Sequence, residues 1–185
     1  ALGVEQLNRI LQENFNPPAA DKPEKEAGGT IFRTGDKVMQ IKNNYQLEWE
    51  VVSRYGIPID KGVGIFNGDM GIIREIDEYA QTVLVEYDEQ RRVTYTYPQM
   101  EEVELAYAIT IHKSQGSQYK TVIIPMLMDY KIMLKRNLLY TAISRAKENV
   151  IIVGQSRAIA YAVHSNSISK RNTLLAEQIN KYKGE

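Results

Sequence analysis

Apolar side chains at positions 4, 7, 10, 11 and 15 recur at three- and four-residue steps, so residues 4–15 are predicted to form an amphipathic helix. Pro17 and Pro18 end it. Residues 16–30 (NPPAADKPEKEAGGT) combine Pro, Gly, Ala and charge without periodicity, and read as an exposed, poorly ordered connector. From residue 32 the pattern becomes short and alternating. Residues 37–41 alternate, and 47–52 can pair with them. The turn-rich stretches 55–64 and Asn67-Gly68-Asp69 then interrupt the chain before strands at 71–76, 82–87 and 91–97. Strands this closely spaced suit a small antiparallel barrel or meander, because parallel crossovers need about a dozen residues.

After residue 102 the pattern shifts again. Residues 104–111 (ELAYAITI) and 121–125 (TVIIP) read as strands, 136–147 as a helix, and 150–153 (VIIV) as a buried strand, with further helices at 156–163 and 170–183. Continuous apolar strands alternating with helices indicate a parallel sheet covered on both faces. The predicted architecture is an α/β core carrying a small β insertion. Residues 1–64 form its first part, 65–103 the insertion, and 104–185 the remainder.

Composition excludes whole classes of chemistry. The 185 residues hold no cysteine and two histidines, which removes disulfide frameworks, thiolate zinc sites and cysteine nucleophiles, and no metal site is expected. No apolar run approaches the ~20 residues of a membrane span, so no membrane partner and a cytoplasmic location are expected. The chain begins at Ala1 rather than Met, as a fragment would. Its formal net charge of zero conceals an asymmetry. Through residue 100 there are 11 Lys/Arg against 16 Asp/Glu, and beyond it 12 against 7. A basic second half points to an anionic partner there.

Two apparent nucleotide signatures fail on inspection. Gly62-Val63-Gly64 with Gly68 has its third glycine one position late and no helix after it. Residues 82–89 resemble an apolar strand ending in an ATPase Asp-Glu pair, but their alternation and the immediate Gln90-Arg91-Arg92 return favour a hairpin tip. No G-x-x-x-x-G-K-[ST] phosphate loop occurs anywhere, so this chain alone is not expected to hydrolyse ATP. Tyr87, Tyr95 and Tyr97 are either packed on half-buried strands or form a stacking platform for bases.

The chemistry concentrates in two segments. In residues 108–119 (AITIHKSQGSQY) an apolar stretch runs into consecutive polar residues at the position where α/β sheets bind ligands. Thr110, Lys113 and Ser114 are phosphate-type donors, His112 hydrogen-bonds or stacks, and Gly116 admits a close backbone approach. An ordinary polar loop remains the alternative. Residues 137–147 (NLLYTAISRAK) place Arg145 beside a packed helical stripe near the helix end. There it either snorkels or meets a γ-phosphate held by another domain.

Taken together, TIHKSQGSQY (110–119) and LLYTAISRAK (138–147) resemble motifs V and VI of superfamily 1 helicases, and in detail the RecD-like branch that includes the exonuclease V alpha subunit. FRTGDKVMQIKNNY (32–45) and FNGDMG (66–71) resemble the stretches leading into that family's inserted barrel. The resemblance spans residues 31–155. It implies a second RecA-like motor domain interrupted by a Src-homology-3-like barrel, with the first motor domain absent.

The resemblance further implies roles. Thr110 and His112 touch the backbone of single-stranded DNA, with Lys113 and Ser114 adjacent; separately, the acidic character of the insertion limits the DNA contact expected there to one edge, through Asn43, Asn44 or Arg91-Arg92. Gln115 and Gly116 face the γ-phosphate. Gln118 stands where many relatives carry a ribose-binding Glu, and Arg145 is the arginine finger. ATP with Mg2+ is the implied cofactor, held mainly by the absent first motor domain. Single-stranded DNA, that domain and other exonuclease V subunits are the implied partners, and movement is five-prime to three-prime. The competing expectation is a non-catalytic nucleic-acid or protein binding module with a degenerate motor fold.

Overall fold

The computed structural model describes residues 3–165 and 179–180. Its chain forms two compact units, Ala1–Ser117 and Gln118–Glu185. The helix expected over 170–183 falls outside the described residues, but for 179–180.

The first unit opens with α1 (Val4–Phe15), whose bounds are those its periodicity predicts. Its buried face is not. Asn8, Gln12 and the following Asn16 are buried, whereas Ile10 and Phe15 are exposed. This face lies against backbone carbonyls and a carboxylate that need donors, so amides sit where leucines were expected. Next come β1 (Glu24–Ala27) and β2 (Thr30–Arg33), an antiparallel pair turned by Gly28 and Gly29 at φ of 56° and 76°. Two consecutive left-handed residues make the tight turn that matches strand twist. Residues 24–30, expected to be poorly ordered, are therefore paired strand and turn.

Seven strands complete the unit: β3 (Lys37–Gln40), β4 (Asn44–Val52), β5 (Pro58–Ile65), β6 (Met70–Asp77), β7 (Thr82–Tyr87), β8 (Arg92–Thr96) and β9 (Val103–Leu105). They form one antiparallel sheet in the order β5-β4-β8-β7-β6-β3-β9. The strands expected at 71–76, 82–87 and 91–97 appear as β6, β7 and β8, and residues 88–90 turn the hairpin between the last two. Two expectations differ. Residues 55–64 are mostly strand β5 rather than a break, and β3 pairs with β6 and β9 rather than with 47–52. The reason is local: β4 folds onto its sequence neighbour β5 through a turn in which Ser53 N donates to Ile57 O at 2.8 Å. Closing a short loop costs less entropy than pairing across a longer one. Gly62 lies under the Trp49 ring, which fills the space a Cβ would need.

The apolar positions of these strands converge on one core that includes Val38, Ile65, Ile73, Val83, Val85 and Val93. The alternating burial of β7 shows the period-2 pattern that the sequence carries. The insertion expected over 65–103 lies within this sheet, which continues on either side of it into β3, β4, β5 and Leu105.

In the second unit β10 (Tyr119–Met126), α2 (Arg136–Ile143), β11 (Ala146–Gly154) and α3 (Ser156–His164) form a strand–helix–strand–helix run. The two strands are parallel, with Val122 opposite Val150 and Ile124 opposite Ile152. Gly154 closes the register beside the Met126 carbonyl, which occupies the space of a Cβ. Ile124 and Met126 are buried, as are Ala142 of α2 and Ala158 and Ala162 of α3. The other side differs from the expected double cover: Ile123, Ile151 and Val153 are exposed. The predicted helix over 136–147 stops at Ile143 because β11 already begins at Ala146. Arg145 therefore sits on a turn, not on a helix face.

Candidate nucleic-acid interface

The segment predicted as a strand over 104–111 is strand only to Leu105. Beyond it, the backbone is held by three successive residues. Ala106 N donates to Lys37 O at 2.8 Å, extending the β3–β9 pairing. The Tyr107 hydroxyl donates to Asp36 Oδ1 at 2.9 Å. At Ala108 the Asn8 side chain stands in for a neighbouring strand: its Nδ2 donates to Ala108 O at 2.9 Å while its Oδ1 accepts Ala108 N at 2.8 Å.

Asp36 is the centre of this root. It is fully buried and accepts from Gln12 Nε2 at 2.5 Å, Asn16 Nδ2 at 2.6 Å, Arg33 N at 2.7 Å and the Tyr107 hydroxyl. A carboxylate with its lone pairs this fully engaged is the way a buried charge is tolerated. Burial pushes the Tyr107 hydroxyl's pKa up, and the hydrogen bond to Asp36 with its negative charge pushes it further. Tyr107 thus stays a donor throughout the physiological range.

From this root, residues 110–117 curl into consecutive turns. Ser114 N donates to Thr110 O at 3.1 Å, Lys113 N to Thr110 Oγ1 at 3.2 Å, and Gln115 N to His112 O at 3.2 Å. The Ser114 hydroxyl is turned inward, donating to Ile111 O at 2.7 Å. Gly116 has φ of 88°, a conformation that favours glycine, and open space lies where a Cβ would be. Thr110, His112, Gln115 and Gly116 are exposed on this turn. Lys113 Nζ lies 2.5 Å from Glu104 Oε2. Such a turn offers hydroxyl, imidazole, ammonium and backbone groups on a fixed base, the set that contacts phosphate and sugar.

Asn43 and Asn44 shape the approach to β4. Asn43 Oδ1 accepts Asn67 N at 2.9 Å. Asn44 Oδ1 accepts Gln46 N at 3.0 Å and its Nδ2 donates to Glu102 Oε2 at 2.9 Å. Glu102 in turn accepts from Gln40 Nε2, whose Oε1 accepts the Tyr95 hydroxyl at 2.8 Å, and the Tyr95 and Tyr87 hydroxyls lie 2.7 Å apart. Burial raises both phenol pKa values, so both stay protonated. Tyr87 and Tyr95 are core residues, which resolves the stacking alternative for them in favour of packing.

The remaining site residues lie in the second unit. Gln118 is exposed just before β10. Arg145 is half-buried in the turn from α2 to β11. Its carbonyl accepts Tyr119 N at 2.8 Å and its Nη2 donates to Ser144 Oγ at 3.2 Å. The structure thus gathers Thr110, His112, Lys113, Ser114, Gln115 and Gly116 on one turn of the first unit, while Gln118 and Arg145 belong to the second. The sequence reading missed the root itself: Asn8, Gln12, Asn16 and Asp36. Its one signal is three amides at successive four-residue steps, which the apolar periodicity of the helix passes over.

Two family models match this chain: the SH3 domain of ATP-dependent RecD-like DNA helicases over residues 7–87, and the UvrD-like helicase C-terminal domain over residues 105–153. The chain is 33% identical over 178 residues to the ATP-dependent RecD2 DNA helicase of Deinococcus radiodurans, covering 96% of this chain and 22% of that protein. It is 33% identical over 109 residues to the RecBCD enzyme subunit RecD of Mycobacterium tuberculosis, covering 59% of this chain and 19% of that protein. The chain therefore spans about a fifth of the length of these curated relatives. A solved structure of two coordinating Pif1 helicases, described as the basis for DNA unwinding at forked dsDNA, superposes with a TM-score of 0.52 at 20% identity, covering 97% of this chain and 43% of that one. The fold is accordingly an SH3-like antiparallel domain joined to the RecA-like C-terminal domain of a helicase. The two models fall on either side of the β8–β9 connection, the second beginning at Leu105, the last residue of β9, and with its RecD2 and RecD relatives the chain belongs to the RecD-like branch of the superfamily 1 DNA helicases.

Proposed function

We propose that this chain is the DNA-gripping, nucleotide-sensing part of an ATP-dependent five-prime to three-prime DNA helicase, acting in the cytoplasm and completed by a first motor domain in the parent polypeptide. The observation that carries the reading is the turn over 110–117, which presents Thr110 and His112 outward from a root of part-buried hydrogen bonds. A fixed base matters because a loop that is already ordered loses little freedom when it meets a phosphate backbone.

Thr110, His112 and Lys113 contact single-stranded DNA in this reading, and Ser114 holds the turn that presents them. Asn43 and Asn44 set the neighbouring edge of the SH3-like domain. Gln115, Gly116 and Gln118 serve the nucleotide, with Gln118 able to bond a ribose hydroxyl without adding charge. Arg145 offers its guanidinium to the γ-phosphate. ATP with Mg2+ supplies the phosphoryl chemistry when bound by the first motor domain. The present residues fit a sensing role and not a complete nucleotide site, since no phosphate loop is in this sequence. This chain alone is therefore inactive as an ATPase. Other exonuclease V subunits are partners if the parent protein works in a RecBCD-type assembly.

Arg145→Ala in the parent protein tests the nucleotide half. DNA-stimulated ATP hydrolysis is expected to fall by about 10³-fold or more, the range of arginine fingers in other nucleotide hydrolases. Hydrolysis at the wild-type rate overturns the assignment.

A further inference from the structure

The helix α1 carries none of the side chains proposed to touch DNA or nucleotide, yet its buried face is built of amides directed at the root of the turn. Asn8 is 5% exposed and Gln12 4% exposed. An apolar helix face would pack on the sheet more cheaply, because every buried amide must be matched by a partner. Here each is matched. Gln12 Nε2 reaches both Ile31 O and Asp36 Oδ2, Asn16 Nδ2 reaches Thr34 O and Asp36 Oδ1, and Asn8 pairs with both backbone groups of Ala108. Ala108 is two residues before Thr110. The Phe15 and Tyr107 rings add a stacked contact at 6.5 Å between the end of the same helix and the residue before Ala108.

We propose that α1 is a strut for the motif V turn, and that Asn8 is a positioning residue: by pairing with Ala108 it fixes the direction in which Thr110 and His112 leave the sheet. This rests on the reading of that turn as the DNA grip. Without Asn8, Ala108 has no strand neighbour for its N–H and C=O, and water takes both. The backbone can then swing about Tyr107, which Asp36 still holds. The sequence supports the role, because Asn supplies one donor and one acceptor from a single planar group, and neither Asp nor Leu of similar size does both.

The test uses this 185-residue chain with Asn8→Ala and Asn8→Asp, read by amide hydrogen exchange without DNA, by binding of a labelled oligothymidylate, and by chemical unfolding followed through Trp49. Exchange is expected to quicken at the amides of Ala108, Lys113 and Ser114 while those of β6 and β7 stay protected. Oligothymidylate affinity is expected to fall by about tenfold, the loss that two such hydrogen bonds carry. Asn8→Asp is expected to match Asn8→Ala, because its second oxygen faces the Ala108 carbonyl. Unchanged exchange at 108–114 in a variant that unfolds at lower denaturant overturns the proposal and leaves Asn8 a purely structural amide. If Asn8→Ala loses α1 altogether, Asn8→Asp carries the test, and protected amides at 108–114 with α1 intact overturn it. Faster exchange with unaltered affinity, accompanied by unaltered affinity in Thr110→Ala and His112→Ala, refutes the DNA reading and not the strut.

Discussion

The two units of this chain carry different apolar patterns and bury them to different extents. In the first, alternating residues of β6, β7 and β8 meet across an antiparallel sheet and vanish into a core where Ile73 is 0% exposed. In the second, the continuous apolar runs of β10 and β11 pair with each other, yet Ile123 remains 64% exposed. Alternation is the mark of a sheet with one wet face, and a continuous run is the mark of a sheet buried on both. The difference teaches that the SH3-like domain finds its whole core within this sequence. The parallel pair is patterned for a cover that the described residues do not supply on one side, in keeping with a chain that spans about a fifth of its relatives.

Core substitutions break this comparison most sharply. Ile73→Ala is expected to destabilise the first unit by about 2–5 kcal/mol, the cost of a buried Ile truncation. In contrast, Ile123→Ala is expected to change the stability of this chain by under about 0.5 kcal/mol, as surface substitutions do. Urea unfolding followed by Trp49 fluorescence for the first and by far-ultraviolet circular dichroism for the second measures both. Equal costs at the two positions would remove the distinction between a closed and an open core.

A smaller effect separates the 110–117 turn from the sheet that supports it. Lys113 is paired with Glu104 in the absence of DNA, so a phosphate must compete with a carboxylate for it. Glu104→Gln is expected to tighten oligothymidylate binding by about twofold to fivefold, the range of an exposed ion pair, with no change in unfolding midpoint. Weaker binding in that variant would mean that Glu104 orients Lys113 instead of competing for it.

The smallest expected effect is on acid stability. Hydrogen bonds from Arg74, opposed by burial and supported by Arg92, hold the Glu86 carboxyl below its ordinary value of 4.5. Its folded-state pKa is depressed, so its contribution is fully present above the unfolded value and is lost as pH falls from about 4.5 through the lower folded value. The first unit of Glu86→Gln is expected to show a flatter stability profile below pH 4.5 than the wild type. Parallel profiles would show that the ion pairs contribute nothing to folding.

Much of this architecture is legible in the sequence, and the failures have physical causes. The limits of α1 and the three strands β6, β7 and β8 follow from periodicity, because burial on one face imposes period 3.6 or 2. The β1–β2 hairpin was hidden inside a charged, Pro-rich stretch although its Gly28-Gly29 pair is a turn signal. The stretch 106–111 looked like strand because it is apolar, but beyond Ala106 it is held by the Tyr107 hydroxyl on Asp36 and by the Asn8 side chain on Ala108, and a side chain replacing a strand leaves no periodicity. For the same reason, the amide stripe of α1 gives no apolar signal although it is buried. Within the candidate site, the motif residues were legible because the run from His112 to Gln118 is unbroken polar or glycine and directly follows an apolar stretch. The scaffold that aims them was not, because its parts lie about a hundred residues apart.

The most direct measurement is a titration of labelled single-stranded oligothymidylate against this chain at rising salt, with Thr110→Ala, His112→Ala and Arg145→Ala alongside. Affinity is expected to fall as salt rises, because the contacts release counterions from the DNA backbone. The first two variants are expected to bind more weakly, and Arg145→Ala, whose side chain is proposed to serve the nucleotide, to bind as the wild type does. Salt-independent binding, a preference for duplex, or full affinity in both Thr110→Ala and His112→Ala would contradict the assignment of the turn as the DNA grip.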